Sequence, residues 1–233
     1  MGASFVNRML RRRPLSREET VYRRLKKRGY SPVGIVDVGA YQGEWSKLAR
    51  RVWGPVPTLM IEAQECKRAR LQDACQREQN LFLEVAVLGA NSGQDVTFYE
   101  METGSSLFPE QSDVPRKAAC LQTRTLDEVV GVNNGSDLFL KIDVQGAELE
   151  VLKGGDATLA AASLVQLETA FVAYNKGAPH IDEVIQFMKK RGFAPIDIAS
   201  EVRIQDCLIQ IDLLFAPEKS PLRPEFFHFA AAV

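Results

Sequence analysis

Between residues 33 and 89 the hydrophobic period of the sequence switches four times. "VGIVDV" (33–38) is a short, β-rich apolar run. "EWSKLARRVW" (44–53) then places apolar residues at 45, 48, 49, 52 and 53, the one-sided spacing of a helix. "TLMIEA" (58–63) returns to strand character, "ECKRARLQDACQRE" (65–78) to helix, and "LFLEVAVLG" (81–89) to a third strand. This alternation predicts an α/β fold: a parallel sheet with right-handed crossovers.

The rhythm breaks over 94–126, where "QDVTFYEM" and "CLQTRTL" read as strands around a Gly-, Ser- and Pro-rich loop. It resumes with strand 138–143, helix 147–153, strand 163–169 and helix 181–191. The runs "FAPIDIA" (193–199) and "CLIQIDLLFA" (207–216) have no helix between them and predict an antiparallel hairpin. Upstream, "EETVYRRLKKR" (18–28) sets acids first and bases last, suiting a helix dipole, and Gly29 stops it. The echo of "KKRGYSPVGI" (26–35) in "KKRGFAPIDI" (189–198) is one helix-to-strand connector used twice. The expected division is a basic helical extension over 1–30, one α/β domain over 31–216, and a tail over 217–233.

At 233 residues, 45 % hydrophobic and 25 % charged, the chain can bury a core without disulfides or a structural metal. Its cysteines (Cys66, Cys75, Cys120, Cys207) form no CxxC pair, and with only His180 and His228 the inventory argues against zinc. Free thiols in a reducing cytoplasm are the expectation. No apolar run approaches the roughly 18–20 residues of a membrane span. "MGASFVNRMLRRRP" lacks the apolar core of a secretion signal, and Val6 stands where a myristoylation site after Gly2 needs Ser or Thr. Residues 1–30 hold ten Lys/Arg against two Glu. Such an arm can attract an anionic surface, but no aromatic interleaves with its arginines to stack bases, so no nucleic-acid partner is expected.

In "VDVGAYQGEW" (36–45) a strand ends at Val38, Gly39 and Gly43 bracket a turn, and a helix begins near Glu44. Such a turn lets backbone amides approach a ligand. Glu62 ends the next strand, at the interval where an acid holds a ribose diol. A dinucleotide fingerprint anchored on Gly39 would need Gly at 41 and 44, and this chain has Tyr41 and Glu44. Tyrosine would crowd a pyrophosphate and glutamate would add negative charge beside it. S-adenosylmethionine carries no phosphate, and an acidic D-x-G turn suits its cationic amino-acid end, with Asp37 acting on the ammonium directly or through water.

These blocks resemble the FkbM-like family of class I S-adenosylmethionine-dependent methyltransferases. The resemblance is carried by "VDVGAYQGEWS" (36–46), "IEA" (61–63), "VAVLG" (85–89), "GSSL" (104–107), "TLDEV" (125–129), "LKIDVQGAELEVLKG" (140–154) and "LETAF" (167–171). It implies a Rossmann-like, seven-stranded, mostly parallel sheet with the last strand antiparallel, helices on both faces, and methyl transfer to an oxygen. By motif position Asp37, Gly39, Ala40 and Tyr41 would cradle the methionine end, Glu62 the ribose, and Ala63, Ala86 and Val87 the adenine. Tyr41 departs from the small or amide residue the family more often shows there.

In that fold Asp143 and Glu168 would end neighbouring strands beside the reacting methyl. Asp143 could hold the cofactor or take the acceptor's proton, and Glu168 could assist or pair structurally. The two could instead hold a divalent cation. Lys141 is a weaker candidate there and, alternating with apolar strand residues, reads rather as a salt-bridge partner, and Glu148 reads as a first-turn helix acid. Ser105 and Ser106 lie in the irregular loop, and Tyr174 and His180 follow the fifth strand. The expected activity is O-methylation of a small molecule or glycan bearing a hydroxyl. The alternatives are a nicotinamide-dependent oxidoreductase or an inactive methyltransferase-like scaffold. A homo-oligomer through the tail segment "PEFFHF" is compatible with the sequence.

Overall fold

The computed structural model describes residues 15–109, 111, 113–131, 136–172 and 175–223. The arginines of the first fourteen residues, Tyr174, His228 and the "PEFFHF" segment lie outside the described residues. Helix α1 (Arg17–Lys27) starts at Ser16, whose Oγ accepts from the Glu19 amide at 3.1 Å. Its apolar face is not solvated. Val21, Tyr22 and Leu25 pack with Tyr30, Trp53 and Phe139.

The chain continues as β1 (Gly34–Val38), α2 (Glu44–Trp53), β2 (Thr58–Glu62), a 3-10 turn at Glu65–Lys67, α3 (Arg68–Arg77) and β3 (Leu81–Val85). Next come β4 (Val87–Leu88), β5 (Asp95–Glu100), β6 (Lys117–Arg124), α4 (Leu126–Val130), β7 (Leu138–Ile142), α5 (Glu148–Lys153) and α6 (Asp156–Ala161). The last elements are β8 (Ala162–Ala170), α7 (Ile181–Lys190), β9 (Phe193–Ile204) and β10 (Cys207–Pro217). Among the described residues the main sheet has seven strands in the order β3-β2-β1-β7-β8-β10-β9. The pairs from β3 to β8 are parallel, and β10 runs antiparallel to both neighbours. This is the mostly parallel, last-strand-reversed sheet that the family resemblance implies. The closing hairpin turns at Gln205 and Asp206, with φ of 49° and 65°. Two adjacent left-handed residues match the twist of the strands they join.

Both faces of the sheet are covered, so its central strands are apolar throughout rather than alternating. Val36, Val38, Leu140, Ile142, Val165 and Leu167 point to one face, where Val151, Leu152, Val184 and Met188 of α5 and α7 cover them. Ile35, Phe139 and Leu164 point to the other, under α1 and α2.

One expected element is corrected. The apolar run 81–89 is two strands that serve different sheets. Beyond Glu62 strand β2 ends, and its last carbonyl accepts from the Ala86 amide at 3.1 Å. The chain then turns away, and β4 pairs in parallel with β6, Val87 beside Thr123. With β5 these form a three-stranded sheet in the order β4-β6-β5. Hydrophobic periodicity reports burial, not pairing partner, so the sequence reads as one run. Ala86 therefore links two strands rather than ending one, and Val87 begins the second.

Candidate active site

The strand order reverses between β1 and β7, and there a cleft opens at the carboxyl ends of the strands, as open α/β sheets dictate. Its walls include Gly39, Tyr41, Glu62, Ala63, Ala86, Val87 and Asp143, brought together from four strand ends. The cleft contains about 820 Å³ of empty space, mouth included. One side is apolar, built by Ile61, Leu88, Phe98, Leu107 and Val151.

Three of the expected site residues do not line this cleft. Asp37 is completely buried beneath it. Its Oδ2 accepts from Ser46 Oγ at 2.7 Å, and its Oδ1 lies 3.2 Å from Lys141 Nζ. Ala40 faces away, packed with Met60, Leu71 and Leu81. Glu168 sits behind the wall, at 6 % exposure.

The glycine turn is satisfied internally. The amides of Gly39 and Ala40 both donate to Ile61 O, at 2.9 and 3.1 Å. The Tyr41 amide donates to Glu62 Oε2 at 2.6 Å, and the Gln64 amide to Glu62 Oε1 at 2.8 Å. The Glu62 carboxylate is thus fixed by two backbone donors while still facing the cleft. Burial pushes its pKa up, and those amides hold the rise in check.

Tyr41 sits at φ 50°, and its hydroxyl donates to Glu102 Oε2 at 2.7 Å. Lys67 Nζ is 2.6 Å from the same oxygen and 4.4 Å from the Tyr41 ring centroid. The residue that departs from the family pattern therefore ties the turn to the long irregular loop that follows β5 at Glu100, an insertion before β6. That insertion supplies Glu102, Thr103 and Ser105 to the cleft wall. Ser106 turns away, its Oγ donating to Gln145 O at 2.7 Å. His180 is exposed at the start of α7, its amide donating to Glu183.

Lys141 is buried under the turn, with Nζ 3.2 Å from Gly39 O, 3.2 Å from Asp37 and 3.4 Å from Asp143. Burial alone would lower its pKa, but the charges of Asp37, Asp143 and Asp212 outweigh that and raise it. Around Asp143 the structure gathers acids from several elements. Glu148 accepts from the Val144 and Gly146 amides, each at 3.0 Å. Asp212 stands opposite Glu168 in the β8–β10 register and accepts from Ser200 Oγ. Burial, then neighbouring carboxylates, pushes Glu168 well up, while Glu148 and Asp212 each rise to about 7.

Sequence reading gave Gln145 no role. Its Nε2 donates to Asp143 Oδ1 at 3.0 Å and to Glu168 Oε2 at 2.7 Å, bridging the two carboxyl groups. A signal was present: an amide among acids in "KIDVQGAE" (141–148). A divalent cation between the pair would have to displace this donor. No group of three or more His, Cys, Asp or Glu suited to a metal ion occurs among the described residues.

The raised carboxyls have a consequence for stability. The folded protein binds protons at Glu148 and Asp212 up to about pH 7, whereas in the unfolded chain these carboxyls release theirs in the ordinary carboxylate range, at about pH 4. Stability from these groups is complete below the unfolded values and is lost as pH rises through about 7. Thermal unfolding of the ligand-free protein should occur roughly 8–16 °C lower at pH 8.5 than at pH 5.5, at about 2–4 °C per kcal/mol for a chain this long. A midpoint that rises over that range would show that these acids fold ionised.

The sequence model of the methyltransferase FkbM domain matches residues 37–195. No curated protein matches the chain. Among solved structures, the magnesium protoporphyrin IX methyltransferase of Synechocystis PCC 6803 is 10 % identical with a TM-score of 0.49, covering 86 % of this chain and 77 % of that one. The precorrin-6y C5,15-methyltransferase of Geobacter metallireducens GS-15 is 10 % identical with a TM-score of 0.47, covering 85 % and 86 %. An rRNA methylase of Streptococcus thermophilus is 9 % identical with a TM-score of 0.48, covering 89 % and 98 %.

Proposed function

The chain belongs to the FkbM methyltransferase family, and from that premise we propose that it uses S-adenosylmethionine to methylate a hydroxyl of a small molecule or glycan. The carrying observation is the cleft itself, lined by Glu62 from the end of β2 and Asp143 from the end of β7, with Gly39 after the strand between them. Glu62 would hold the ribose, its carboxylate already oriented by the Tyr41 and Gln64 amides. Ala63, Ala86 and Val87 offer the flat, apolar surface that an adenine needs. Gly39 and Tyr41 would bound the amino-acid end by shape, since the first amides of the turn are taken. Asp37 acts from beneath, through Lys141, rather than by contact.

When bound, the cofactor supplies an electrophilic methyl group. The remaining task is to align an acceptor oxygen and take its proton. Asp143 lines the cleft with its side chain 34 % exposed, so its carboxylate is the base an acceptor can reach. Positioned general bases contribute roughly 10²–10⁴-fold. The nicotinamide reading is disfavoured by the reversed β10, which a dinucleotide-binding sheet lacks, and by Tyr41 at the mouth.

S-adenosylhomocysteine, at about 100 times its dissociation constant, should stabilise the protein by roughly 2.7 kcal/mol, and NAD should not. Stabilisation by NAD alone would reverse the assignment. Transfer of labelled methyl from the cofactor to a panel of hydroxylated sugars and phenols then tests the acceptor class. Glu62→Ala should weaken S-adenosylhomocysteine about 10–100-fold, as expected for a charged hydrogen bond of roughly 1.5–3 kcal/mol. Calorimetric affinity equal to wild type would take Glu62 off the ribose.

A further inference from the structure

We propose that Gln145 is the positioning residue of the carboxyl pair: its side-chain amide, held between Asp143 and Glu168, sets Asp143 toward the acceptor and keeps Glu168 behind it. The inference rests on reading this cleft as the methyl-transfer site.

Gln145 follows Asp143 by two residues at φ 56°, and Gly146 follows at φ 101°. Two successive left-handed residues turn the backbone sharply between the end of β7 and the start of α5. The side chain thereby lies over the ends of β7 and β8 and lines the cleft. A Cβ on Gly146 would lie 2.5 Å from Ala178 Cβ, so the bend is packed as well as strained. The Gln145 carbonyl accepts from Ser106 Oγ at 2.7 Å and from Asn175 Nδ2 at 2.6 Å. Residues from the insertion before β6 and from the loop after β8 thus fix the turn that aims the amide.

The amide has two N–H bonds and points one oxygen of each carboxyl at itself. Asp143 keeps its other oxygen near Lys141. Glu168 spends its other oxygen on Gln210 Nε2. The asymmetry assigns roles. The acceptor's O–H bond breaks, its proton passes to a lone pair of the Asp143 carboxylate, and the acceptor oxygen keeps the electron pair. Glu168 stays out of contact with the acceptor and braces the amide from β8. The groups that face Glu168 are the carboxyls of Asp143, Glu148 and Asp212, with the amides of Gln145 and Gln210.

The test is carboxyl-carbon NMR on protein labelled at the glutamate side-chain carboxyl and saturated with S-adenosylhomocysteine. Gln145→Leu keeps the volume and removes the donors. A donor to the ionised form favours ionisation, so the Glu168 titration midpoint should move upward in the variant. An unmoved midpoint in a folded variant overturns the proposal, even if S-adenosylhomocysteine binds. Failure of the wild type to bind that ligand overturns the methyl-transfer reading instead. Should Gln145→Leu not fold, Gln145→Glu provides the second readout. Three adjacent carboxyls must hold an additional proton near neutral pH, so its unfolding temperature should fall more steeply than wild type between pH 6 and pH 8. A slope equal to wild type overturns the bridging role.

Discussion

Gly39→Ala is expected to abolish measurable S-adenosylhomocysteine binding and to lower the unfolding temperature by roughly 5–15 °C, at about 2–4 °C per kcal/mol. Two costs combine. Gly39 has φ 77°, a region in which alanine is strained, and such residues cost roughly 1–3 kcal/mol. The added Cβ would also lie 2.9 Å from the Asp143 carbonyl carbon and nearer still to its oxygen. Those are backbone atoms and cannot rotate aside. Overpacking of this kind costs about as much again. Relief requires that β1 and β7 part at their ends, but the Asp143 amide donates to Val38 O there at 3.1 Å. The movement would displace both the glycine turn and the candidate base. Gly43→Ala provides the control, because its φ of 78° is similar but its Cβ would meet only the Leu71 and Met60 side chains, each at 3.3 Å. It should lose stability but keep most binding. Equal binding by Gly39→Ala and wild type would show that the close approach of turn and β7 does not shape the ligand site.

That close approach shows what sequence reading can and cannot deliver here. The reversed last strand and most of the expected cleft residues follow from the family resemblance carried by blocks such as "KIDVQGAE". The period switches over 33–89 predict the parallel part of the sheet, and the helix-free link between 193–199 and 207–216 predicts its closing hairpin, because burial and turn chemistry are written locally. What a residue touches across strands is not. Asp37 reads as a ligand-facing acid because a strand ends one residue later. In space it lies beneath the turn, and Ser46 from α2 and Lys141 from β7 take its oxygens. Lys141 alternates among apolar residues and reads as a salt-bridge partner, which it is, to Asp37 and Asp143; its burial is what the alternation conceals, because both faces of this sheet are covered. Gln145 carries no charge and drew no role, although its amide reaches two carboxyls. The split at Ala86 was hidden for the same reason. Pairing partners come from sequence-distant segments such as β6, which periodicity does not name.

Lys141→Met should be the most disruptive single change at the candidate site that adds no volume. The ammonium is at once the partner of Asp37 and Asp143 and a donor to the Gly39 carbonyl. It also lies 5.7 Å from the Trp45 ring centroid, which leaves water little access on that side. Burying such a cluster is costly, and its net stabilising value can be small. Removing one member is different, because the Asp37 carboxylate stays fully buried with its counter-charge gone, at about 3–5 kcal/mol. An unfolding temperature lower by roughly 6–20 °C is therefore expected. Asp37→Asn alone should also destabilise, since it leaves the cation with one fewer counter-charge. The double variant, with a neutral amide facing a thioether, should recover part of the summed loss, giving a coupling of roughly 0.5–3 kcal/mol between positions in contact. Strict additivity would show that the two side chains do not act as a pair. The stability of the double variant would also separate two roles for Lys141. If the cation serves only to neutralise Asp37, the double variant should bind S-adenosylhomocysteine as wild type does. If its bond to Gly39 O sets the height of the turn, binding should remain weak after stability has returned, and the convergence of Gly39 O, Asp37 and Asp143 on one ammonium favours that second outcome.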